Sequence, residues 1–421
     1  MSVDVLALIL AGGRGSRLNL IAAKRAKPAV PFAGMYRIID FTLSNCMTSG
    51  IRSVGVLTQY RPTSLMDHLG DGESWDLAGR AAPLRVMPPS QGHAKSDWYR
   101  GTADAVHQNL FLLRSLKPRN VLILSGDHIY RMDYRAILAR HEEEKADLTL
   151  AAMEVPWEET HRFGVMICDD AGNVLRFAEK TRDRVSNLAN MGVYVFRREV
   201  LEQELLNHCR NGRYDFGGNV IPGMLGKRTV ISHNFKGYWR DVGTLQSYWE
   251  ANMDALDPST GLDLSDWGVR TNMAGRGQIW HPPANLGEGA QVRDALISRG
   301  CVIEGTVERS VLSPGVRVEP GATVFESVVM NDCVIQAGAT VSRCILDKDV
   351  VIGAGARVGR RDANSGENMR FPTHLSGGIT VVGKGTSIPP GLEIGANVLI
   401  DTNVSPDMFP AAGIPDGESL G

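Results

Sequence analysis

Over the first 255 or so positions the chain alternates short apolar runs with stretches in helical spacing. Val5-Leu6-Ala7-Leu8-Ile9-Leu10 stops at glycines, and a run apolar at every position reads as a strand buried on both faces. Ser53 to Leu57, Val121 to Leu124, Asp147 to Met153, Gly164 to Cys168 and Met191 to Phe196 read as further strands. Helices are predicted from Phe41 to Ser49, capped by Asp40 and ended by Gly50, and from Pro62 to Gly70. A third, capped by Thr102, carries Val106, Leu110 and Leu113 on one buried face. Asp169 to Asn173 supplies the turn of a hairpin. The alternation predicts a largely parallel sheet covered by helices, with ligands bound beyond the carboxyl ends of the strands.

From about Leu286 the helical period gives way to a six-residue one. Val318/Val324, Val328/Val334, Ile335/Val341, Ile345/Val351 and Ile352/Val358 are six apart, and Val382, Ile388, Ile394 and Ile400 continue the series. Glycines cluster in the same stretch, as turns between short strands require. This grammar predicts a parallel β-helix whose inward aliphatics stack into a continuous core. Arg360 to Arg370 interrupts the repeat and reads as a loop. The expected division is a catalytic domain over 1–256, a connector over 257–283 and the β-helix over 284–421.

Composition narrows the function. The 421 residues carry 45 Lys and Arg against 47 Asp and Glu, a net charge of −2, which lacks the basic excess of a nucleic-acid-binding protein. Any phosphate must be held by a few placed residues. No apolar run approaches the roughly 18 residues that span a bilayer. The six cysteines form no C-x-x-C pair and read as free thiols, which with the absence of a basic-apolar leader gives a cytoplasmic expectation.

Three loops carry candidate chemistry. Leu10-Ala11-Gly12-Gly13-Arg14-Gly15-Ser16-Arg17 follows the first strand. It is neither a P-loop nor a Rossmann fingerprint, but its glycines admit a bulky ligand and its N–H groups suit an anion. Lys27 follows, its backbone restrained by Pro28. Gly126-Asp127-His128 follows the Val121 strand, and Asp241 precedes a helix capped by Thr244. Two such carboxylates suit Mg²⁺ on nucleotide phosphates. Trp98 to Asp104, Phe163-Gly164 and Phe177 to Lys180 suit a sugar phosphate, with Lys180 for the phosphate and Glu179 for hydroxyls.

Read together, these segments resemble the bacterial glucose-1-phosphate adenylyltransferases. The resemblance runs through Leu8 to Leu18, Lys24 to Phe32, Tyr36 to Cys46, Trp98 to Val106, Gly126 to Tyr130 and Tyr238 to Thr244, in order over nearly the whole chain. It implies an α/β fold, a Rossmann-like (GT-A-like) nucleotidyltransferase domain followed by a left-handed β-helix. The implied reaction joins ATP and α-D-glucose 1-phosphate into ADP-glucose and pyrophosphate, the committed step of glycogen synthesis, with Mg²⁺ as cofactor. Arg14, Lys27, Asp127 and Asp241 are implied as catalytic, the two aspartates holding the metal. Leu10, Ala11, Gly12, Gly13, Arg14, Gln91 and Gly126 fall to the nucleotide. Tyr99, Gly164, Glu179, Lys180 and Asn190 fall to glucose 1-phosphate. Lys24 and Arg25 match the place where some members bind an anionic activator, and the family is homotetrameric.

The departures lie on the sugar side: Thr181 where proline is usual, Asn190 where serine is common, and Gly218-Asn219 where lysine and aspartate are frequent. They bear on sugar specificity more than on nucleotide chemistry; a separate alternative is another sugar-1-phosphate nucleotidyltransferase, one that uses UTP, dTTP or GTP. A regulatory paralogue would have lost the charged loop residues, which are present. An acyltransferase on the β-helix would need a histidine base, and only His281 and His374 lie beyond residue 260, outside the clear repeats.

Overall fold

The structure is a computed structural model and describes residues 4–13, 15–79, 84–89, 98–273, 281–362 and 366–421. The chain divides into two compact units, residues 1–13 with 39–237 and residues 14–38 with 238–421. The segment carrying Lys24, Arg25 and Lys27 thus groups with the C-terminal half.

The first unit holds a nine-stranded sheet. Its strands are β1 (Val5–Ala11), β2 (Ser53–Thr58), β3 (Arg85–Met87), β4 (Asn120–Ser125), β5 (Leu148–Glu154), β6 (Gly164–Cys168), β7 (Val174–Glu179), β8 (Leu188–Arg197) and β9 (Val230–Asn234). Along the main path the order is β7-β6-β8-β4-β1-β2-β3, with β5 beside β8 and β9 beside β5. β4, β1, β2 and β3 run parallel, as the apolar runs of β1 and β4 predict; β3 is absent from the sequence reading. β8 runs antiparallel to β4, β5 and β6, and β6 pairs antiparallel with β7. The sheet is therefore mixed rather than largely parallel. The hairpin turn at Asp169–Asn173 joins β6 to β7, and a two-strand hairpin reverses direction without a crossover helix.

The helices refine the sequence reading. Helix α1 spans Ile38–Thr48, so Asp40 lies inside its first turn and does not cap it. Asp40 is fully buried and instead meets His68 Nε2 at 2.5 Å. His68 lies on α2 (Thr63–Leu69), which closes at Gly70 as expected. The helix predicted from Thr102 is two, α3 (Thr102–Gln108) and α4 (Leu110–Leu116), broken at Asn109. Asn109 turns its amide inward to the Ala105 carbonyl and the Tyr99 hydroxyl. Side-chain bonds of this kind compete with the helical ladder. Thr102 is not the cap; its hydroxyl donates to Asp215. Helix α5 (Tyr134–Glu143) is capped by Asp133, and α6 (Arg198–Cys209) follows β8.

The second unit is dominated by the left-handed β-helix, three sheets of six, six and seven short parallel strands. Strands that pair with each other between Val318 and Val358 are offset by seventeen residues, as Val318 with Ile335 and Val324 with Val341. The buried column is Val318, Val324, Val329, Ile335, Val341, Leu346, Ile352 and Val358. One corner per coil is a residue short, so the period is six, six and five rather than a strict six. That shift turns Val334 and Val351 partly outward, where the six-residue spacing from Val328 and Ile345 had placed them inside. The same unit contains helix α7 (Leu245–Asp254), which hands the Trp249 indole N–H to the Glu326 carbonyl at 2.7 Å. All six cysteines are free, five of them buried. Among the described residues no helix is long and apolar enough to cross a membrane.

Candidate active site

In the first unit the site begins where β1 and β4 end side by side. Leu10 pairs in register with Ser125, and the Gly126 N–H donates to the Leu10 carbonyl at 3.0 Å. A Cβ on Gly126 would stand 2.9 Å from Ile9 Cγ2 and 3.1 Å from that carbonyl, so only glycine lets the two turns lie this close. Gly12 packs on Gln59, where a Cβ would stand 3.3 Å from Gln59 Cβ; around Gly13 the space is open. The turns after Leu10 and after Ser125 therefore meet at the carboxyl ends of adjacent parallel strands. Arg14 and Gln91 lie outside the described residues.

Asp127 is partly exposed at this edge. It accepts from the Ser125 hydroxyl, and His128 Nε2 lies 3.6 Å from its Oδ1. His128 Nδ1 lies 3.1 Å from the Met191 carbonyl, which only accepts, so this nitrogen carries a proton. The next helix starts seven residues later with its own cap, Asp133, so capping does not account for Asp127.

In the second unit Lys27 and Asp241 form a pair at 3.1 Å, with side chains 7% and 12% exposed. Lys27 opens a 3-10 turn, Lys27–Ala29, with Pro28 in its second position. Asp241 ends the short strand Trp239–Asp241. A Cβ on Gly243 would stand 2.9 and 3.1 Å from its two oxygens, so the glycine leaves room for the carboxylate. Thr244 caps α7 in a reciprocal box with Ser247, as its place in the sequence predicts.

Of the residues expected on the sugar side, Gly164 and Lys180 lie against Glu179 in the first unit. Its carboxylate lies against Gly164 and Gly217, and a Cβ on either glycine would collide with it. Burial pushes the Glu179 carboxyl up; Lys180 draws it down, and Asp215 adds to the rise. Lys180 Nζ lies 3.4 Å from Glu179, 62% exposed, on a residue with φ of +46°. That left-handed backbone is uncommon for lysine and turns the chain sharply at the end of β7. The Asn190 amide donates to the Tyr194 hydroxyl at 2.9 Å, while its oxygen accepts the Gly192 N–H. Asn190 thereby shapes an irregularity in β8, where the register to β5 shifts between Asn190 and Tyr194. Tyr99 is buried, its hydroxyl donating to the Met87 carbonyl and accepting from Asn109. That hydroxyl is engaged within the protein, so Tyr99 shapes the loop beside Trp98, which stacks on Tyr60 at 5.1 Å.

Two groups joined by this geometry are absent from the sequence reading's candidates. Asp215 accepts from the Thr102 hydroxyl at 3.0 Å and the Gly218 N–H at 2.8 Å, and Tyr194 feels both Glu179 and Asp215. The available signal was an aspartate two residues before the glycine pair Gly217-Gly218. A correction concerns Lys24 and Arg25, expected as two cations free for an anionic ligand. Lys24 is exposed, but Arg25 is 6% exposed and grips Asp347 with two contacts, Nη1–Oδ1 at 2.8 Å and Nη2–Oδ2 at 3.2 Å. The crowding of Lys24, Arg25 and Lys27 is relieved by the chain's own carboxylates.

Residues 6–258 match the nucleotidyl transferase family, and residues 282–382 match the GlmU-like C-terminal hexapeptide family. The chain is 50% identical to a glucose-1-phosphate adenylyltransferase of Thermomicrobium roseum, over 99% of this chain and 97% of that protein. It is 41% identical to one of Acetivibrio thermocellus over the same shares, and 48% identical to one of Geobacillus stearothermophilus over 77% of this chain and 84% of that protein. With glycine turns meeting at the ends of adjacent parallel strands and a hexapeptide β-helix in one chain, this protein belongs to the nucleotidyl transferase family, among the glucose-1-phosphate adenylyltransferases.

Proposed function

We propose that the protein transfers the AMP moiety of ATP to α-D-glucose 1-phosphate, giving ADP-glucose and pyrophosphate for glycogen synthesis in the cytoplasm. The observation that carries this reading is the meeting of the Gly12-Gly13 and Gly126-Asp127 turns at the carboxyl ends of β1 and β4. A phosphate oxygen of the sugar phosphate attacks the α-phosphorus in line as the bond to pyrophosphate breaks. No covalent enzyme intermediate is needed, so the protein contributes position and charge. Backbone at Leu10, Ala11, Gly12, Gly13 and Gly126 cradles the nucleotide, Arg14 and Lys27 take the triphosphate, and Gln91 takes the adenine. Glu179 accepts from sugar hydroxyls, Lys180 takes the sugar phosphate, and Gly164, Tyr99 and Asn190 shape that pocket.

Asp127 and Asp241 fit a hard divalent ion, since both are carboxylates not fully buried. They would hold Mg²⁺, which supplies charge neutralisation on the phosphates. An anionic metabolite binds at the exposed Lys24, beside Arg25, which stays paired with Asp347. The protein is a homotetramer.

The test is pyrophosphate release from ATP and glucose 1-phosphate by wild type, Asp127→Ala and Asp241→Ala. The expected result is turnover in wild type and loss of at least a hundredfold in each folded variant, about the size of removing one transition-state contact. Near-wild-type turnover in either variant would overturn the assignment.

A further inference from the structure

We infer that Asp347, on the β-helix, is a positioning residue for the reaction: through Arg25 it fixes where the Lys27 ammonium stands. The inference rests on the reading of Lys27 as a ligand of the triphosphate. All four residues involved, Arg25, Lys27, Asp241 and Asp347, lie in the second unit.

One residue, Ala26, separates Arg25 from Lys27, so the two Cα atoms are at most about 7 Å apart. Ala26 is extended, and Pro28 fixes its own φ. Little slack remains between the Arg25 anchor and Lys27. Downstream, the chain is tied to α7: the Tyr248 hydroxyl donates to the Pro31 carbonyl at 2.6 Å, and the Ala33 N–H donates to the Asn252 side chain at 2.9 Å. Asp241, the partner of Lys27, stands just before the same helix. The Lys27 turn is therefore held from both sides.

The upstream anchor is rigid. Asp347 is 2% exposed and accepts the Lys348 N–H at 2.8 Å besides the two Arg25 contacts. Its own N–H donates to the Val382 carbonyl at 2.9 Å, and its carbonyl lies 3.0 Å from Cys333 Sγ. Arg25 Nη1 also lies 3.7 Å from Met330 Sδ. A buried ion pair is weak evidence for added stability, since apolar residues can hold a fold as well. What a two-pronged arginine–carboxylate pair supplies is direction.

The surroundings make Asp347 necessary for that direction. Burial, with Arg37 and Arg25 nearby, pushes the Lys348 ammonium down to about 7. Asp347 is thus the counter-charge of a corner that holds Arg25, Arg37 and Lys348. Without it, Arg25 is repelled toward solvent and carries Lys27 with it.

The experiment compares steady-state kinetics and calorimetric ATP binding in wild type, D347N, D347E and the double variant R25Q/D347N, which removes both partners of the ion pair together. E393Q, from a pair exposed on both sides, controls for charge removal on the β-helix. In D347N and the double variant KM for ATP rises about tenfold or more and kcat falls, since small misplacements of a binding group are costly. KM for glucose 1-phosphate stays within about twofold, D347E recovers most of the ATP affinity, and E393Q behaves as wild type. If D347N does not fold, the double variant carries the same expectation. Unchanged ATP affinity in a folded variant, or an equal rise in both KM values, would overturn the positioning role. A wild type that binds ATP but forms no ADP-glucose would strike the proposed reaction instead.

Discussion

Glu179 shows how far single residues can be read without a fold. Its place at the end of a strand beside Lys180 marks it as a candidate. The two glycines that flank its carboxylate come from Gly164 and Gly217, far apart in the chain, and only folding reveals them. The raised Glu179 carboxyl has a kinetic consequence. A carboxylate accepts from sugar hydroxyls, and protonation removes part of that capacity. As pH falls, KM for glucose 1-phosphate therefore rises at a pH above the usual carboxylate range. The substrate's phosphate also titrates, with a second pKa of about 6. Glu179→Gln shares that substrate titration but lacks the Glu179 limb, so the difference between the two pH profiles isolates it. Superimposable profiles would remove Glu179 from the sugar pocket. Arg25 marks the opposite limit, because its partner Asp347 is 322 positions away and no local pattern announces it.

At the scale of elements, β1 and β4, which lead into the glycine turns, were legible because burial on both faces leaves an unbroken apolar run. Strands β5, β6 and β8 were legible as strands too, but the antiparallel direction of β8 was not, because pairing direction depends on partners rather than on composition. The β-helix was legible as a period but not as a frame, since the missing residue at one corner moves the inward position from Val334 to Ile335. The contact between β1 and the turn after β4 yields a sharp expectation. Gly126→Ala adds a Cβ 2.9 Å from Ile9 Cγ2 and 3.1 Å from the Leu10 carbonyl, and backbone cannot yield as a flexible side chain can. The two turns must part. KM for ATP then rises about tenfold or more with kcat reduced, because the cradle is misplaced. Steady-state kinetics at fixed glucose 1-phosphate measures this, and an unchanged KM would mean that the close approach does not serve the nucleotide.

For the whole molecule, 50% identity over 99% of the chain and two matching family descriptions agree with the architecture. Large apolar side chains stay exposed in the single chain, among them Phe111 and Leu175 at 62% each. Faces of this kind are suited to covering by further copies. Light scattering at micromolar concentration should give four times 45.8 kDa, and a monomer would refute the tetramer. The departures at Thr181, Asn190, Gly218 and Asn219 bear on the substrate rather than the fold, so they call for substrates as the probe. The direct test of the central claim is pyrophosphate release measured for ATP, UTP, dTTP, GTP and CTP against four sugar 1-phosphates. The account predicts the highest kcat/KM for ATP with glucose 1-phosphate, and ADP-glucose as the product. A preference for another nucleotide, or for another sugar 1-phosphate with ATP, would contradict it.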